Sequence, residues 1–256
     1  MTTAPPATDS FAAMKKLLFA GVIGPLLFIV VFIIEGLTRP GYSAWRHYVS
    51  QLATGPGGWV QVINFLLCGT LVLLFAIGLR MATRSIAAPI LLSLFGIALL
   101  TAGAFSTDPA LGYPVGAAAV HTTHGMIHGF AGLVAFTTLP ATAFVMAAWF
   151  ARHETGRRWL WYSLAVGIVM IIAFVVSTAV SAMDGAGTLP NAPTGFFQRI
   201  AIITGWTWMS MVALHLIRAS RPASRYASVT EQPRSGSRRH PMAVLLEDDS
   251  KDRSRG

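Results

Sequence analysis

Six stretches of the sequence, 17–37, 59–79, 86–105, 126–150, 159–182 and 196–217, are each about 20 residues long and almost wholly apolar. A helix of roughly that length crosses a hydrocarbon core about 30 Å thick, and a continuous apolar run in lipid satisfies its own backbone only as a helix. The 256-residue chain is therefore read as all-α, a polytopic membrane protein with six transmembrane helices. Composition agrees: 11% of residues are charged and 54% hydrophobic, against about 25% charged in soluble domains.

Lys15 and Lys16 precede the first window as they would in a secretory signal. The window is too long for a signal core and no Ala-x-Ala site follows it, so it is read as an uncleaved helix. Cys68, the single cysteine, lies inside the second window, which excludes an intrachain disulfide and a Cys-based metal site. The net charge of +9 follows topology rather than nucleic-acid binding. Threading the chain six times puts Lys15, Lys16, Arg80, Arg84, Arg152, Arg157 and Arg158 on the side of the termini, and only Arg39, Arg46 and Arg199 opposite. Such an imbalance places both termini in the cytoplasm of a bacterial-type cytoplasmic membrane, in contact with anionic lipid.

Residues 1–13 are a polar, Pro-containing lead and 219–256 an Arg- and Ser-rich tail, both expected to be disordered cytoplasmic segments flanking a membrane domain at 14–218. The connections on the side of the termini are short and basic. Those on the other side are long and turn-rich, which suggests that function sits there. In the first of them, YSAWRHYVSQL spaces Trp45, Tyr48, Val49 and Leu52 at i, i+3, i+4 and i+7 before TGPGG, the pattern of a short interfacial helix.

The stretch RPGYSAWRHYVSQLATGPGGWVQVINF, then FSTDPALGYP, then HGMIHG, resembles the bacterial and archaeal six-helix membrane family catalogued as domain of unknown function nine-nine-eight. The resemblance covers roughly residues 15–218 and implies a six-helix membrane domain. It implies no particular activity.

Outside the tails the acidic residues are few. Glu35, Asp108 and Asp184 each fall at the loop-rich end of a window. The stretch HTTHGMIHG places His121, His124 and His128 at i, i+3 and i+7, within roughly 60° of one another on a helix starting near Val120. Ser177, Ser181 and Asp184 form a second stripe, and Gly125, Gly129 and Gly132 beside the histidines are read as points of close helix approach. Gln51, Gln61, Asn64, Gln198 and Arg199 add polar groups at similar depth. Together they suggest an outward-facing polar His/Asp pocket, with Glu35, Gln51, Asn64, Ser181 and Arg199 in its walls.

Three readings of that pocket compete. A metal site would use His121, His124 and His128 as ligands, zinc being the ion such a set takes, and Asp108 and Asp184 as catalytic carboxylates. The set is also similar to that of membrane hydrolases of the alkaline ceramidase and adiponectin-receptor kind, although those have seven helices and a Ser-x3-His that the second window here lacks. A structural or partner-binding reading has the carboxylates pair with Arg39, Arg46 and Arg199. A proton-linked carrier reading meets the difficulty that the other halves of the windows hold almost no ionisable group. A small molecule or a lipid is the ligand expected, and nucleic acid is not. Haem is set aside, because His153 and His215 fall at the opposite end.

Overall fold

The computed structural model describes residues 7–153 and 156–220; residues 221–256, most of the tail read as disordered, and residues 1–6 of the lead lie outside the described residues. Among the described residues there are six long helices: α1 (Ala7–Thr38), α2 (Trp59–Thr83), α3 (Ala87–Ala104), α4 (Thr123–Ala151), α5 (Gly156–Gly185) and α6 (Thr194–Ala219). Each is long and apolar enough to cross a membrane. Their outward faces carry large apolar side chains such as Ile34, Ile63, Phe130 and Ile172, which lie against lipid.

Each helix packs on the next in chain order, and α6 returns to α1. Spatial order thus repeats sequence order around a closed ring, as short connections between antiparallel neighbours favour. Small residues set the tightest contacts: a Cβ on Gly69 of α2 would sit 3.0 Å from the Gly96 carbonyl oxygen of α3. Such backbone approach drives helix association where no water remains to be expelled. The α2–α3 turn closes on Arg84, left-handed at φ 56°, whose N–H donates to the Arg80 carbonyl. Pro25 and Pro140 stand inside α1 and α4, where neighbouring helices tolerate them.

Two boundaries differ from the sequence reading. Helix α1 begins at Ala7, inside the lead assigned to 1–13. After Pro6 nothing in ATDSFAA breaks a helix, and Lys15 Nζ lies 4.3 Å from the Phe11 ring centre at i, i+4. Helix α4 begins at Thr123, not near Val120, so His121 lies outside it. Asp108 sets that start, accepting from the Thr122 N–H at 2.7 Å and hydroxyl at 2.6 Å, while Thr122 caps the helix by accepting from Gly125 N–H.

The interfacial segment is also shorter than its periodicity suggests. It forms turns followed by a 3₁₀ helix, Val49–Ala53, with Val49, Gln51, Leu52 and Ala53 buried in the bundle mouth. Side chains capture the backbone groups that would have extended it. Val49 N–H donates to Gln198 Oε1, Tyr48 N–H to Gln51 Oε1, and the Ala44 and His47 carbonyls accept from Arg199.

Candidate functional site

The charged groups gathered at the loop end are engaged in a cap that ties the loops together. Asp184, at the end of α5, takes Arg46 at 2.7 and 2.8 Å as a two-pronged pair, with its own side chain only 1% exposed. Glu35 pairs with Arg39 one turn later at 2.6 Å, and Arg39 also donates to the Thr54, Pro56 and Gly57 carbonyls, fastening α1 to the turn before α2. Arg199 meets no carboxylate among the described residues; it donates to Ala44, His47 and Gly195 carbonyls and to the Tyr42 hydroxyl. Gln51 donates to Ala110 O and joins the first long loop to the second.

The remaining sequence candidates are spread widely. Asn64 is buried between α1 and α2, donating to Phe28 O and Gln61 Oε1. Ser181 is half-buried and lies near the Tyr48 hydroxyl, whose pKa burial pushes up. Asp108 is held below the usual carboxylate range by the Thr122 hydroxyl and N–H. His121 and His124 are exposed, the latter with its ring edge-on to Phe105 at 5.2 Å, while His128 is buried. Among the described residues, no three His, Cys, Asp or Glu side chains come close enough together to hold a metal ion.

His47, at the centre of the cap, has both ring nitrogens in use. Nδ1 accepts from Ser43 N–H at 2.9 Å, and Nε2 lies 3.1 Å from Leu111 O, to which it therefore donates. A proton on Nδ1 would break the Ser43 bond. Burial lowers the His47 pKa, the Leu111 carbonyl opposes that, nearby Arg46 and Arg199 add to the lowering, and Asp184 opposes it. Tyr42 and Tyr113 flank the ring. Because the folded value lies below the unfolded value of about 6.5, His47 contributes its full stability above that pH. The contribution is lost as pH falls from 6.5 through the lower folded value. Unfolding temperature in detergent is expected to drop between about pH 7.5 and 5.5, and to drop less in His47→Gln. An equal drop in that variant would remove His47 as the cause.

Beneath the cap lies a cavity of about 300 Å³ walled by all six helices. Tyr48, Val49 and Ser50 roof it; Phe28, Phe95, Leu139, Met170 and Trp206 line its deep end. Trp206 stacks on Phe28 with ring centres 4.1 Å apart and planes 9° apart, and meets Phe95 edge-on. Among the described residues no Asp, Glu, Lys or Arg lines the cavity; its polar side chains are Tyr48, Ser50, Thr107, His128, Ser177, Thr178 and Gln198. Ser177 is spent on Thr194 O at 2.9 Å.

The tautomer of His128 follows from its partners. Nδ1 lies 2.8 Å from Phe105 O and 3.1 Å from Ala102 O, both acceptors only, so Nδ1 carries the hydrogen. In the neutral ring Nε2 is then a bare acceptor, and no hydrogen bond among the described residues uses it. Gln198 is complementary. Its Oε1 is taken by Val49 N–H, and no hydrogen bond among the described residues uses its Nε2 donor.

The family model described as protein of unknown function (DUF998) matches residues 22–215. The chain belongs to the DUF998 family. No curated protein and no solved structure matches it. The part covered by the DUF998 match runs from the middle of α1 to late α6, and so contains the whole cap and every residue lining the cavity.

Sequence reasoning expected a polar pocket and missed the apolar deep part of the cavity. Its deep end is Phe, Met, Leu and Trp, residues that any buried helix face would carry, and they leave no distinguishing pattern. The glycines were the available signal. Gly125 does lie in close contact with the Asp108 carboxylate, but a Cβ on Gly129 or Gly132 would meet nothing within 4 Å. There they border a void rather than a packed helix.

Proposed function

We propose that this membrane bundle binds an uncharged, mostly apolar small molecule in the cavity beneath the cap. The observation that carries the reading is the lining: apolar walls, no charged side chain among the described residues, and polar atoms, His128 Nε2 and Gln198 Nε2 among them, that no hydrogen bond among the described residues uses. Pockets for small molecules have this make-up, a largely hydrophobic wall with a few orienting polar groups. The cap carboxylates and arginines act as structural clamps that hold the roof in place. A metal-dependent hydrolase built on His121, His124, His128, Asp108 and Asp184 has less support. His121 falls outside α4, His124 faces solvent, and both carboxylates are already bonded within the cap.

Gly132→Trp tests the reading. Gly132 lines the cavity and has open space where a Cβ would stand, so an indole there is expected to fill part of the cavity. Protein purified in mild detergent is expected to carry a copurifying organic molecule, detected by extraction and mass spectrometry, that the variant has lost while remaining monodisperse. Identical extracts from the two proteins would refute the proposal.

The loop end faces outward and both termini face the cytoplasm. This orientation rests on the seven Lys or Arg residues on the side of the termini against three on the other. Cysteines placed at exposed Ala118 and Thr188 should react with an impermeant maleimide in intact cells, the native Cys68 being buried and silent. Reaction only after permeabilisation would reverse the assignment.

A further inference from the structure

At the loop end, each of the two helices flanking the cavity opening is fastened to a different neighbour. On α4, His128 bonds the end of α3, Asp108 holds Thr122, and His124 packs on Phe105. On α5, Asp184 is fixed to Arg46 of the cap and Ser177 to Thr194 O at the start of α6. Deeper, α4 and α5 meet where Phe136 and Phe174 stack with centres 4.6 Å apart and planes 6° apart. Above that stack, Gly129, Leu133 and Thr178 line the cavity and are also exposed, Leu133 to 50%. They mark a gap that opens sideways, toward lipid.

Dimensions restrict what enters. From His128 to Leu139 on α4 is about 16 Å at 1.5 Å per residue, close to one leaflet of a hydrocarbon core about 30 Å thick. A volume of about 300 Å³ is at the small end of ligand pockets, roughly 300–1,000 Å³, which suits one chain and not two. Burying a charged head against this lining would leave it without a counter-ion among the described residues. A ketone or ester only accepts hydrogen bonds and leaves His128 Nε2 unanswered. A hydroxyl does both, donating to His128 Nε2 and accepting from Gln198 Nε2.

Resting on the reading that the cavity binds a small molecule, we infer that its occupant is a single-chain alcohol. It is taken sideways from the lipid leaflet on the loop side, between Gly129 and Gly132 of α4 and Thr178 of α5. Its chain runs down toward Trp206, and its hydroxyl meets His128 and Gln198.

The full chain, reconstituted in phosphatidylcholine vesicles, is exposed to a diazirine-bearing dodecanol or to the same chain ending in a sulfonate, and labelled peptides are mapped. The alcohol is expected to label Leu133, Phe136, Met170 and Phe174 about ten-fold more than the sulfonate. Gln198→Glu keeps an acceptor for Val49 N–H, loses the donor and adds a charge; it should lower alcohol labelling by about ten-fold. Gly129→Trp and Thr178→Trp, on opposite walls of the gap, should each slow labelling at Met170. Equal labelling by alcohol and sulfonate overturns the assignment of the head while leaving the cavity a binding site. Undiminished labelling in both tryptophan variants overturns the sideways route. If neither probe labels any of the four residues, the binding reading fails as well.

Discussion

Arg46→Ala is expected to destabilise the protein by about 3 kcal/mol, the low end of the range for breaking a buried ion pair by removing one partner. The low end applies because the Arg46 side chain is 28% exposed, so part of its attraction to Asp184 is already screened. The two partners are not equivalent. Without Arg46, an almost fully buried carboxylate is left in the bundle mouth; without Asp184, Arg46 can still turn its guanidinium toward water. Asp184→Ala should therefore cost less than Arg46→Ala, and the paired change Arg46→Met with Asp184→Leu less than Arg46→Ala alone. Equilibrium unfolding in mixed detergent micelles measures all three. If Asp184→Ala proved the more damaging, the pair would be held together by something other than the burial of its carboxylate.

That pair also shows where sequence reading stops. Six apolar windows were legible because lipid demands about 20 consecutive apolar residues for each crossing, a demand written in one contiguous stretch. Which arginine meets which carboxylate is not local: Asp184 lies 138 positions from Arg46, and Arg199, an equally plausible partner by depth, spends its guanidinium on carbonyls and Tyr42. The start of the histidine-bearing helix was hidden for a similar reason. Periodicity placed His121 on the helix, but the helix start is fixed by a contact from Asp108, 14 positions away. Glycine is ambiguous in the same sense. Gly69 brings two backbones together and Gly132 borders a void, and the difference lies in what the neighbouring helix does. Periodicity shows which face of a helix is apolar, and leaves open whether that face meets a side chain or a cavity.

The void and the packing beneath it depend on one residue, which makes Trp206→Ala the most informative core substitution. Trp206 is 2% exposed, stacked on Phe28 and edge-on to Phe95. In a soluble core such a truncation costs about 3 to 5 kcal/mol, part of it from returning apolar surface to water. Within a membrane that part is small, since the unfolded reference is itself in an apolar medium. What remains is the loss of dispersion contacts around the removed indole, so the expected cost is near 3 kcal/mol, with Trp206→Phe costing much less. The enlarged cavity would be apolar and dry, and a ligand that fills it stabilises the folded state by mass action. Free indole should therefore restore part of the lost stability in Trp206→Ala and leave the parent unchanged. Stability lost without rescue by indole would mean that the bundle collapses into the space, and that the cavity above Trp206 is not maintained by a rigid floor.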